Sequence, residues 1–69
     1  MPETDALAQK VKEYRQAQSM TQFDMACESG LSIEEISLIE RGKTDPKLST
    51  LQKIAAYMGI TVSSLLEVE

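Results

Sequence analysis

The sequence predicts an all-α domain of five short helices. Three observations carry that prediction. Apolar residues recur at helical spacing along nearly the whole chain, two Ser/Thr-x-x-acid patterns mark helix starts, and no convincing period-2 apolar run is present, with aromatic residues at only 4%.

The elements follow in order. Leu7, Val11 and Tyr14 fall at i, i+4 and i+7, giving a first helix of roughly 5 to 18. Thr21 opens "TQFD", and Met25 with Ala26 supplies the inward face of a short second helix that ends near Gly30. Ser32 opens "SIEE", so a third helix is expected to run to about Glu40 or Arg41, with Gly42 able to take the left-handed conformation that ends it. Asp45-Pro46 marks the next turn. Leu48, Leu51, Ile54, Ala55 and Met58 then form the apolar stripe of a fourth helix, which Gly59 stops, and Thr61 caps a last short helix holding Val62, Leu65 and Leu66. Met25, Ala26, Leu31, Leu48, Leu51, Ile54, Ala55 and Leu65 are the expected core. Phe23 and Cys27, spaced i, i+4 on the outer side of the second helix, are candidates for a small exposed apolar patch.

Sixty-nine residues make one small domain, 1–69 with its core at about 7–66, and a chain this short gains from a second subunit. One cysteine allows no internal disulfide, and the absence of histidine removes a Cys/His metal site, so no metal or other cofactor is expected. Neither an activated nucleophile nor a Gly-rich phosphate loop is present, which sets enzymes aside. No apolar run approaches the ~18 residues of a membrane span, and "MPETDALAQK" lacks the regions of a signal peptide, so a soluble cytoplasmic protein without a membrane partner is expected. The net charge of -4 taken alone argues against a nucleic-acid partner, yet Arg41, Lys43 and Lys47 gather three of the seven bases into one short stretch.

A tight Gly-containing turn between the second and third helices describes a helix-turn-helix. The stretch "MTQFDMACESGLSIEEISLIERGKTDPKLSTLQKIAAYMGI" resembles the Xre/Cro-like, phage-repressor-type helix-turn-helix family. The likeness rests on Thr21-Gln22, Ala26, the Gly30-x-Ser32 turn, Ile36 and Ile39, Glu40-Arg41-Gly42, Pro46, and "TLQKIA" before Gly59, in that order and spacing. It implies a lambda-repressor-like domain that binds double-stranded DNA and regulates transcription. It also implies that Gln22 meets the DNA backbone and that Arg15 pairs with Glu40.

The third helix carries three glutamates and no base. With the inward direction set between Ile36 and Ile39, Glu34 points almost straight out, Ser37 and Leu38 lie either side of it, and Ile33 is on the flank, so these four are the candidate base readers. Glu34 can accept from the N4 amino group of a cytosine, and Ile33 and Leu38 can meet thymine methyls. A solvated Glu34 on a helix that reads little is the other reading. Glu35 and Glu40 fall about 70° from the inward direction on opposite sides. Glu35 completes a capping box with Ser32.

Phosphates are expected at the start of the second helix, Thr21 and Gln22, and at Arg41, Lys43, Thr44 and Lys47 beside the third. Two copies would set their reading helices ~34 Å apart on a near-palindromic operator. Tyr57, Met58, Ile60, Val62, Leu66 and Val68 exceed what a thin C-terminal layer needs, so they are candidates for the homodimer contact, or else they close the core. Occupying an operator would make the protein a repressor, controlled by its concentration or by a protein partner. A protein-interaction module of the same fold, with weak or lost DNA binding, is the alternative.

Overall fold

The computed structural model describes residues 2–67, and these form α1 (Pro2–Ala17), α2 (Gln22–Ser29), α3 (Ile33–Glu40), α4 (Leu48–Met58) and α5 (Val62–Leu65), with no strand among them. Val68, a candidate dimer residue, lies outside the described residues. α1 starts earlier than its apolar spacing suggests. Glu3 and Asp5 occupy its first turn, where a carboxylate is stabilised by the free N–H groups and the helix dipole.

Three helix starts are closed by their own side chains. Thr21 Oγ1 accepts from Asp24 N–H at 3.0 Å while Asp24 Oδ2 accepts from Thr21 N–H at 3.0 Å, and Thr61 Oγ1 accepts from Ser64 N–H at 3.0 Å. α3 has the corresponding box at Ser32 and Glu35. The turn between α2 and α3 depends on Gly30, whose φ of 81° is a conformation side chains rarely adopt. Its N–H donates to Ala26 O at 3.1 Å, ending α2, and the chain then drops Leu31 into the core.

Leu7 and Val11 of α1, Met25 and Ala26 of α2, Leu31 of the turn, Ile36 and Ile39 of α3, Leu51, Ile54 and Ala55 of α4, and Leu65 of α5 form one apolar cluster. α3 packs against both α1 and α2, while α4 spans α2 and α5. Leu48 departs from the expected core, being 62% exposed. It is the first residue of α4, and regular geometry turns it about 70° from the centre of the stripe formed by Leu51, Ile54, Ala55 and Met58. Lys10 fastens α5 to α1, its ammonium donating to the carbonyls of Ser64 and Glu67. Among the described residues no helix is long and apolar enough to cross a membrane.

Candidate nucleic-acid interface

Each end of α3 is fixed by a carboxylate. At the start, Ser32 Oγ accepts from Glu35 N–H at 3.1 Å, and Glu35 Oε1 accepts from Ser32 N–H and from the Ser32 hydroxyl, both at 3.2 Å. At the end, Glu40 is only 5% exposed and accepts from Arg15 Nε at 2.7 Å and Nη2 at 3.0 Å. Arg15 Nη1 donates to Met20 O at 2.9 Å, so one guanidinium joins the end of α1, the turn before α2 and the end of α3. Hydrogen bonding to Glu40 raises the Arg15 pKa above its usual value.

Gln22 turns inward. Its Nε2 donates to Glu40 Oε1 at 3.3 Å, a link that the residue patterns do not announce. The signal for it is stoichiometric: a buried carboxylate offers about four acceptor sites, more than one arginine fills. That bond uses one of the two Gln22 amide hydrogens. Thr21 is exposed at the same helix start.

Between these fixed ends runs the outer arc of α3. Ile33 is 48% exposed. Glu34 is exposed and its side chain makes no hydrogen bond or ion pair with any described residue, whereas Ser37 and Leu38 are half-buried. Leu38 leans toward the loop that follows, where it lines an open cleft of about 390 Å³ with Glu35, Thr44, Pro46, Lys47 and Lys53. The cations border this arc. Arg41 Nε donates back to Ser37 O at 3.3 Å, Lys43 is exposed, and Lys47 precedes α4, whose first turn has no side-chain cap and no acidic residue. The N–H groups of that turn therefore face outward with partial positive charge.

The expected dimer residues divide. Tyr57, Met58, Val62 and Leu66 pack partly against the core, and Ile60 is 37% exposed. Tyr57 is withdrawn from the outer surface: its ring meets the edge of Tyr14 at 5.6 Å and 73°, and its hydroxyl donates to Glu28 Oε1 at 3.0 Å. Burial and then the Glu28 hydrogen bond push its pKa up to about 12. Phe23, 62% exposed, and the free thiol of Cys27 lie on the outer side of α2.

A family model described as helix-turn-helix matches residues 11–65. The HTH-type transcriptional regulator DdrOP3 of Deinococcus deserti is 41% identical over 61 residues, which are 88% of this chain and 47% of that protein. MJ0272 of Methanocaldococcus jannaschii, an uncharacterized HTH-type transcriptional regulator, is 39% identical over 56 residues, covering 81% of this chain and 85% of that protein. The immunity repressor protein of Bacillus phage phi105 is 36% identical over 59 residues, 86% of this chain and 41% of the repressor. The chain thus spans less than half the length of two of these three relatives. Among solved structures, a hypothetical transcription factor from Neisseria, NHTF, superposes with a TM-score of 0.82 at 28% identity, covering 94% of this chain and 75% of that one.

Proposed function

The chain belongs to the helix-turn-helix family, and from that premise we propose that it is a DNA-binding regulator of transcription that inserts α3 into the major groove and acts by occupying its operator. One observation carries the reading. On the outer arc of α3, Ile33 and Glu34 are exposed and the Glu34 side chain has no partner among the described residues, and the loop that follows the helix bears Arg41, Lys43 and Lys47. Those cations, with Thr21, Gln22, Thr44 and the uncapped start of α4, hold the phosphates on either side of the groove. Ile33, Glu34 and Ser37 face the bases, with Leu38 at the edge of the contact.

The protein works in the cytoplasm as a homodimer, because one eight-residue reading helix makes too few contacts for tight specific binding. Ile60, with Met58, Val62 and Leu66 around it, supplies the self-contact. Control comes from the protein's concentration or from a protein partner. The test is titration with duplex DNA across salt concentrations. Affinity should fall steeply, with a log–log slope of about -0.9 for each phosphate neutralised. A weak response that does not change with salt would overturn the proposal in favour of a protein-interaction module.

A further inference from the structure

Of the three carboxylates on α3, Glu35 is engaged with Ser32 and Glu40 with Arg15 and Gln22. Glu34 alone is exposed and without a partner among the described residues, and it points almost directly away from Ile36 and Ile39. We propose that Glu34 determines sequence preference by accepting a hydrogen bond from the exocyclic amino group of a cytosine, with Ile33 against the methyl group of a neighbouring thymine. The proposal deepens the reading of α3 as a groove-inserted helix and rests on it.

An ionised carboxylate only accepts hydrogen bonds. In the major groove guanine offers N7 and O6, both acceptors, and thymine offers O4 and a methyl group, so either edge repels it. Adenine carries an amino group, but N7 lies beside it and turns a lone pair toward the carboxylate. Cytosine presents its amino group next to a C–H edge, which leaves it the base that Glu34 accepts without an opposing lone pair. The same charge weakens attraction to the phosphates on both sides of the groove. Glu34 therefore filters bases at a cost in general affinity, which explains an acid at the centre of a surface bordered by cations.

The 69-residue chain and its Glu34→Gln variant are each used to select duplexes from a random pool, and affinities for the selected sites are then measured across salt. The wild type should enrich one cytosine in each half-site, and replacing that pair should lower affinity ~10-fold. Glu34→Gln should lose the cytosine preference, shift toward adenine, whose N6 and N7 suit an amide, and bind unrelated duplexes more tightly. An unchanged melting temperature in the variant shows that the fold is intact, since the carboxylate has no partner in the chain. If both proteins select the same sequence, the proposal for Glu34 is overturned while the groove-inserted α3 stands. If the wild type shows no salt-dependent binding, both fall.

Discussion

Glu40 turns both carboxylate oxygens onto Arg15, at 2.7 and 3.0 Å, and thereby ties the last residue of α3 to the last turn of α1. The pair is largely withdrawn from water, with side-chain exposures of 17% for Arg15 and 3% for Glu40. Removing one partner strands the other charge, so Glu40→Ala should cost about 3 kcal/mol of unfolding free energy, measured by urea denaturation. Glu40→Gln retains an acceptor and should cost less. Arg15→Lys should fall closer to the alanine variant, because an ammonium cannot reproduce the forked contact or hold Met20 O at the same time.

Leu48 and Leu51 stand one turn apart on α4 and should respond very differently. Leu51, 9% exposed within the core, should lose about 2 to 3 kcal/mol on substitution by alanine. The same change at Leu48, 62% exposed, should stay within about 0.5 kcal/mol. Equal losses measured by denaturant midpoint would show that Leu48 is buried in solution.

Alkaline pH should destabilise the protein through Tyr57. Its folded pKa, about 12, lies above the value of about 10 for a tyrosine in an unfolded chain, so the neutral phenol is the form that folding favours. Stability from this group is complete below pH ~10 and is lost as pH rises through about 12. Tyr57→Phe should remove that part of the decline. Unfolding free energies of the two proteins, followed through this window, should converge as the wild type ionises.

Lys43 and Lys47 are exposed cations with no hydrogen bond to another described side chain. Changing either to Gln should leave the melting temperature unaltered. Each change should make the salt dependence of DNA binding shallower by about 0.9 and weaken all duplexes alike, because a phosphate contact carries no base information. A selective loss at one base position would assign that lysine to the groove instead.

Much of the architecture is written in local patterns. Thr21-x-x-Asp24 and Ser32-x-x-Glu35 are complete within four residues each, so their hydrogen bonds can be anticipated before any fold is assumed. The directions of Glu34, Glu35 and Glu40 follow equally from helical period once Ile36 and Ile39 define the inside. The turn of Gln22 toward Glu40 is different, because it joins residues 18 positions apart and depends on how α2 crosses α3. Leu48 shows the limit of apolar spacing: it sits three residues before Leu51 yet about 70° from the centre of the stripe at the start of α4, and is left exposed. For Tyr57, an apolar surplus near the C-terminus gives no hint that Tyr14 and Glu28 have already engaged it.

The anchoring of α3 by Ser32, Glu35 and Glu40 leaves its two arcs independent of each other. Residues that hold the helix in place are not those presented at its surface, so the latter are interchangeable without rebuilding the scaffold. A combinatorial library at positions 33, 34 and 37 should yield folded variants at high frequency with altered operator choice. In that sense α3 is a cartridge: the frame accepts it by one edge, and the other edge can be rewritten.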